Sequence, residues 1–135
     1  MTKVYKVSSP LKIYWGKRVL KPFYLNLNIY RNFNKFALGT IKKNYFEIMK
    51  PQLKPLPKFK AVSLRYVLYT GSRKKVDIMN FGSIVDKFFC DCLTGTGKIE
   101  DDNYEYIKEI SFEYGGICKS NPRVDIFITE IGNKK

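Results

Sequence analysis

The stretch AVSLRYVLYTGSRKKVDIMNFGSIVDKFFCDCLTGTG, residues 61–97, contains the two clearest secondary-structure patterns of the chain. Residues 61–70 alternate an apolar side with a mixed side, which predicts a β-strand. Residues 78–93 repeat apolar side chains at helical spacing, and Gly95 and Gly97 predict the end of that helix. A strand, a basic turn and a long helix are therefore expected at the centre of the fold.

Weaker patterns precede this stretch. Residues 3–15 are rich in β-branched and aromatic side chains, which favours a strand with a break near Pro10. The second half of residues 25–49 approximates helical spacing. Three prolines within residues 51–57 predict that this helix ends there and an extended connector begins.

Two further strands are predicted after the central helix, at residues 104–113 and 123–129, with Gly115 and Gly116 separating them. Helices and strands do not alternate regularly along the chain. The sequence therefore predicts one α+β domain over residues 1–135, with a mixed sheet of about four strands and two helices.

The charge of the chain favours an anionic partner. Lys and Arg number 25 against 12 Asp and Glu, which gives a net charge of +13. Nucleic acid is the expected partner, and a merely basic protein or a membrane-surface protein are the alternatives. The residues expected to contact phosphate groups are Lys17, Arg18, Lys21, Lys42, Lys43, Arg73, Lys74 and Lys75.

Residue types that are missing narrow the chemistry. The chain has no histidine, which excludes serine-histidine and cysteine-histidine nucleophile pairs and an imidazole base. Its three cysteines include no CxxC pair, so neither a disulfide framework nor a zinc site is indicated, and Cys92 is expected in the core. Any catalysis must depend on carboxylates, lysines and a metal ion.

Membrane insertion and secretion are not expected from the composition. No stretch approaches the roughly 20 apolar residues of a membrane span. The first residues, MTKVYKVSSPLKIYWGKR, lack the apolar segment of a signal peptide. We therefore expect a cytoplasmic protein with no membrane partner.

A polar stripe flanks the apolar face of the central helix. That apolar face comprises Phe81, Ile84, Val85, Phe88, Phe89 and Cys92. Beside it lie Asn80, Ser83, Lys87 and Asp91, with Asp77 just before the helix, whereas Asp86 falls on the solvent side. The stripe alone is also explained by a surface pair between Lys87 and Asp91 and a helix cap at Asp77.

Three adjacent carboxylates, Glu100 to Asp102, follow the helix in an otherwise cationic protein. Concentrated like charge favours a counter-ion, and Mg²⁺ binds through one or two carboxylates with phosphate and water. Asp77 with Asp101 or Asp102 is a candidate pair of ligands.

Several ordered segments resemble one nuclease family. They are LNLNIYRN, KKVDIMN, DKFFCDCL, KIEDDNYEYI and VDIFITEIGN, and together they are similar to the RusA-type Holliday junction resolvases and their phage relatives. The resemblance extends from about Leu25 to Asn133, and the ordered combination is more specific than any single segment.

The resemblance implies a homodimer that makes paired nicks in four-way and other branched DNA, with Mg²⁺ or Mn²⁺ as cofactor. It implies catalytic roles for Asp77, Lys87, Asp91 and Asp102. It implies that Asp77 and Asp102 bind the metal, and this sequence itself offers Asn80, Asp101 or Glu100 as a further oxygen donor. The sequence departs from the family at Met79, where the family has a second aspartate.

Two other functions remain open. One is a non-enzymatic binder of single strands or RNA, in which some of the 20 Phe and Tyr residues stack on bases. The other is a structural or regulatory protein that keeps the fold but has lost catalysis through the change at Met79. Cleavage of a synthetic four-way junction distinguishes an enzyme from both.

Overall fold

Six strands and three helices follow one another along residues 3–132, the part of the chain that the computed structural model describes. They are β1 (Val4–Pro10), β2 (Lys12–Trp15), β3 (Lys21–Tyr24), α1 (Leu27–Arg31), α2 (Lys35–Leu53), β4 (Ala61–Thr70), α3 (Ile78–Gly95), β5 (Ile107–Ile117) and β6 (Arg123–Ile131). The predicted α+β class is confirmed. Residues 1–2 and 133–135, which include the last residue of the resemblance at Asn133, lie outside the described range.

Four strands form a mixed sheet in the order β1-β6-β4-β5. β4 and β5 are parallel neighbours, and the other two pairs are antiparallel. The parallel pair requires a crossover, which α3 supplies. β2 and β3 form a separate two-stranded hairpin.

The core lies between the sheet and the helices, and α3 is central to it. The predicted apolar face of α3 is buried, except that Phe81 is only half-buried. Phe88 contacts three other aromatic rings, because it stacks on Phe23 at 6.3 Å and meets Tyr30 and Tyr45 edge-on at 6.1 and 5.5 Å between ring centroids. It thereby joins α3 to the hairpin, α1 and α2.

Two glycines set how α3 packs and where it ends. A Cβ at Gly82 would lie 2.6 Å from the ring of Phe112 on β5, so only glycine allows this close approach. Gly97 follows the helix with a φ of +75°, a left-handed conformation that favours glycine. The predicted glycine stop is confirmed.

Within residues 3–132, no helix combines the length and apolarity needed to cross a bilayer.

Two helix boundaries differ from the prediction. α2 does not end at Pro51 but continues to Leu53. Leu53 is fully buried, and the Gln52 side chain bonds both backbone groups of Ser8, so tertiary contacts hold this last turn despite the proline. The short helix α1 was not predicted, and the Asn26 side chain caps it by accepting from the amide of Asn28.

Gly115 and Gly116 do not separate two strands, as predicted, but lie inside β5. A Cβ at Gly115 would lie 2.6 Å from the ring of Tyr69 on β4. Gly116 has a φ of +128°, beside the register shift between Leu68 and Tyr69. The glycines therefore accommodate an irregularity in the β4–β5 pairing.

A buried carboxylate ties the edge strand β1 to β6. Asp125 is 2 % exposed and accepts hydrogen bonds from Ser8 Oγ and Arg123 Nε, both at 2.8 Å. Lys6 Nζ lies 3.5 Å from its other oxygen. Burial opposes ionisation of this group, but the bonds from Arg123 and Ser8 outweigh burial and lower the pKa of Asp125.

We expect Asp125→Asn to lower the free energy of unfolding by about 1–3 kcal/mol at pH 7, because the variant weakens hydrogen bonds to a charged group. The pKa is lower in the folded than in the unfolded protein, where it is about 3.9. The stabilisation is therefore fully present above that value and is lost as the pH falls through the folded pKa. As the pH falls, the free energies of unfolding of wild type and variant should therefore converge. Urea unfolding of both proteins between pH 3 and 7 measures this. The matched control is Glu113→Gln, which removes an exposed partner of Arg65 and should change little. Equal stabilities of wild type and Asp125→Asn at pH 7 would contradict this role.

Candidate nucleic-acid interface

A cleft of about 920 Å³ opens at the N-terminal end of α3. Its walls include Lys74 and Lys75 from the loop after β4, and Asp77 and Asn80 from the start of α3. The side chains of both lysines are exposed. Four of the residues predicted for DNA or metal binding therefore lie together, because the strand-to-helix loop brings them to one end of the helix.

Asp77 is the N-cap of α3. Its Oδ1 accepts a hydrogen bond from the backbone amide of Met79 at 3.0 Å, which satisfies an amide that the helix leaves unpaired. The carboxylate is exposed beside the cleft. The capping alternative raised from the sequence is thus correct for Asp77, whereas no ion pair joins Lys87 to Asp91 in the described part of the chain.

An acidic cluster, defined here as Asp91, Asp101 and Asp102, lies at the opposite end of α3. Asp101 accepts from the amide of Asp102 at 2.8 Å and from the side-chain amide of Asn103 at 3.0 Å. Desolvation by surrounding atoms, then the neighbouring Asp101 and Asp91 carboxylates, raises the pKa of Asp102. Crowded like charges of this kind are relieved by a cation.

The helix separates Asp77 from the acidic cluster. From Asp77 to Asp91 the axis of α3 extends about 21 Å, at about 1.5 Å per residue. Asp77 and Asp102 therefore cannot bind one metal ion within a single chain, which corrects the predicted ligand pair. Asn80 lies with Asp77, at the wrong end to assist Asp102.

The acidic cluster offers fewer side-chain ligands than a complete metal site requires. Among residues 3–132, no three or more histidine, cysteine or carboxylate side chains converge as a ligand set. Asp102 with one neighbouring carboxylate matches the mode in which Mg²⁺ uses one or two carboxylates and completes its shell with phosphate and water. The chain by itself therefore offers a partial site that a substrate phosphate would have to complete.

The polar stripe of α3 connects the two ends of the helix. Lys87 and Asp91 are exposed, and Asn80 and Ser83 are half-buried. Ser83 Oγ donates to the carbonyl of Met79 at 2.6 Å, so its hydroxyl is used within the helix. Lys87 is an exposed cation on α3 between the residues of the cleft and those of the acidic cluster.

Asp86 is not on the solvent side, as the helical wheel predicted. It is half-buried and accepts from Tyr66 Oη at 2.6 Å and from Cys90 Sγ at 3.3 Å. Burial is the main cause that raises the pKa of both donors, so each stays protonated at neutral pH. Asp86 fastens α3 to β4, and Cys90 is not available as a thiolate nucleophile. The helical pattern of α3 does not show this contact, because Tyr66 lies on β4, 20 residues earlier in the sequence.

Two of the predicted DNA-binding lysines lie near the acidic cluster. Lys42 and Lys43 of α2 line a small cavity of about 230 Å³ together with Asp91. Lys43 is exposed, and Lys42 is half-buried with its ammonium group 6.0 Å from the centre of the Tyr30 ring. Cations therefore flank both ends of α3, while its C-terminal end also carries the carboxylates.

The remaining predicted phosphate contacts are exposed and are not among the residues that line the cleft. Lys17 and Arg18 are in the turn between β2 and β3, Lys21 begins β3, and Arg73 is in the loop after β4. They extend the basic surface around the hairpin.

The sequence did not point to three other residues of the cleft, which are Lys12, Tyr14 and Tyr24 of the hairpin. They could have been found from the alternation in β2, where Ile13 is fully buried and its neighbours Lys12 and Tyr14 are exposed. The hairpin register then identifies Tyr24, because it pairs with Lys12.

The chain matches no protein-family model and no curated protein.

Proposed function

We propose that this protein is a RusA-type endonuclease that binds four-way and other branched DNA in the cytoplasm and cuts it with the help of a divalent metal ion. The ordered segments that resemble this family support the proposal, as does the mixed sheet with a long helix between parallel strands. The net charge of +13 favours a polyanionic substrate.

The observation that supports the proposal most is the acidic cluster on a basic protein. Carboxylates repel DNA, so a group of them that a DNA-binding surface retains needs a use that outweighs this repulsion. Desolvation, and after it the carboxylates of Asp101 and Asp91, raises the pKa of Asp102 and so disfavours its charged form. A cation bound at Asp102 would favour the charged form and offset the repulsion of DNA.

In the proposed reaction, Asp102 with Asp91 or Asp101 would hold Mg²⁺ or Mn²⁺. When bound, the metal supplies polarisation of the scissile phosphate and acidification of a water molecule. Lys87, exposed on the same stripe as Asp91, stabilises the negative charge that develops on the phosphate. Lys42 and Lys43 hold the strand beside the cluster by contacts to flanking phosphates.

In a homodimer, Asp77 of one copy and Asp102 of the other can lie close together, although the two residues are far apart within one chain. Two copies related by a two-fold axis, with their α3 helices antiparallel, bring the N-terminal end of one helix beside the C-terminal end of the other. In the homodimer that the resemblance implies, Asp77 of one protomer would then be available to the partial metal site at Asp102 of its partner. Such a dimer has two equivalent sites, as paired nicks require.

A second function is favoured by one residue, Met79. Its side chain is 49 % exposed in the first turn of α3, at the position where the resembling family has an aspartate. A thioether is a poor ligand for Mg²⁺. Loss of this ligand would leave a protein that binds branched DNA without cutting it.

We expect the full-length protein to bind a synthetic four-way junction at least about tenfold more tightly than a linear duplex of the same sequence, with an affinity that falls steeply with salt. In Mg²⁺ or Mn²⁺ it should nick opposite strands of the junction, and EDTA should prevent this. Gel-shift titrations and denaturing gels of end-labelled strands measure the two properties.

The outcomes separate the candidate functions. Tight junction binding without nicks in either metal supports the non-catalytic binder and rejects the nuclease. Equal affinity for junction and duplex rejects recognition of branched DNA.

A further inference from the structure

The hairpin β2–β3 exposes two tyrosines on one of its faces. Ile13 and Phe23 point to the core and are fully buried. On the opposite face, Tyr14 and Tyr24 are 48 % and 44 % exposed. Aromatic rings bury large apolar areas when they bind a partner, so an exposed pair beside a cleft is a candidate contact surface.

These tyrosines form one wall of the 920 Å³ cleft, which also contains three lysines. The Lys12 ammonium group lies 5.4 Å from the centre of the Tyr14 ring and 5.9 Å from that of Tyr24. Lys74 and Lys75, from the loop after β4, also line the cleft, so its three lysines outnumber its one carboxylate, Asp77. The cleft therefore combines aromatic faces with positive charge.

A ligand that fits both features has a flat aromatic ring and a negative charge close to it. A nucleotide has this composition. Within a duplex the faces of the bases are covered by their neighbours, so only an unpaired or unstacked nucleotide can present its base face and its phosphate together.

We propose that the cleft binds an unpaired nucleotide of the DNA substrate, with its base stacked on Tyr14 or Tyr24 and its phosphate beside Lys74 and Lys75. Branched DNA offers such a nucleotide where its arms meet. The inference rests on the proposed function in taking DNA as the ligand, but it does not depend on cleavage. It gives the cleft a recognition role that neither the acidic cluster nor Lys87 performs.

The test measures fluorescence anisotropy of a labelled thymidine hexanucleotide with the full chain at low salt. The double variant Tyr14→Ala, Tyr24→Ala should bind it at least about tenfold more weakly, because base stacking on the rings is lost. The double variant Tyr14→Phe, Tyr24→Phe keeps both rings and should bind within about twofold of wild type. Phe36→Ala is the matched control, since Phe36 is 92 % exposed on α2 and does not line the cleft.

A second variant guards against loss of folding in the alanine protein. Lys74→Gln with Lys75→Gln alters an exposed loop and should also weaken hexanucleotide binding. Affinity that is unchanged in either the double alanine or the double glutamine variant overturns the inference.

The same proteins keep this inference apart from the nuclease proposal. Tyrosine-dependent hexanucleotide binding in a protein that never cuts a junction supports the cleft and rejects the nuclease. Normal junction cleavage, together with hexanucleotide affinity that the tyrosine substitutions leave unchanged, supports the nuclease and rejects nucleotide binding in the cleft.

Discussion

Asp102→Asn should reduce cleavage of a four-way junction at least about hundredfold, since a metal-held phosphate contributes several kcal/mol to transition-state stabilisation. Junction affinity should stay equal or rise, because the variant removes a negative charge from a DNA-binding surface. Single-turnover cleavage rates and gel shifts measure the two effects. Glu105→Gln is the matched control, because Glu105 is an exposed carboxylate of the same loop outside the acidic cluster. Equal losses in both variants would show that the loop tolerates no change and would contradict a specific role for Asp102.

Asp77→Asn should also abolish cleavage if the site is shared between protomers. Asparagine is as good an N-cap as aspartate, so the unfolding temperature should not change. Mixing this variant with Asp102→Asn should restore part of the cleavage activity that each variant lacks alone. Half of the randomly assembled dimers carry one intact site, so about a quarter of the wild-type number of sites is restored. No recovery on mixing contradicts the shared site, and cleavage that survives both substitutions rejects the whole assignment.

Phe88→Ala should lower the free energy of unfolding by about 3–5 kcal/mol, as large-to-small changes of buried aromatic residues do. Phe88 is 2 % exposed and contacts the rings of Phe23, Tyr30 and Tyr45. The loss therefore affects the packing of the hairpin, α1 and α2 on α3 at the same time. For a domain of this size, it corresponds to a melting temperature lower by about 10–18 °C.

Thermal and urea unfolding of Phe88→Ala and wild type provide the measurement. Phe36→Ala removes the same side chain from a position that is 92 % exposed and should change stability by no more than about 0.5 kcal/mol. A loss in Phe88→Ala as small as in this control would mean that the aromatic cluster is not central to the core.

The sequence alone determined the elements whose pattern is local. β4 and α3 were predicted because each has an apolar side that its own periodicity reveals, and the end of α3 because Gly97 takes a conformation that favours glycine. The net charge and the lack of histidine likewise limit the chemistry before any fold is known.

The tertiary structure decided which residues meet. Asp77 and Asp102 looked like one ligand pair, but the 18 residues of α3 lie between the loops that carry them. Asp86 looked solvated, but Tyr66 of β4 lies against it. Gly115 looked like a turn residue, but the ring of Tyr69 occupies the space of its missing side chain. Periodicity reports which side of an element is buried, whereas the partner across a crossover depends on strand order and register, which no local pattern contains.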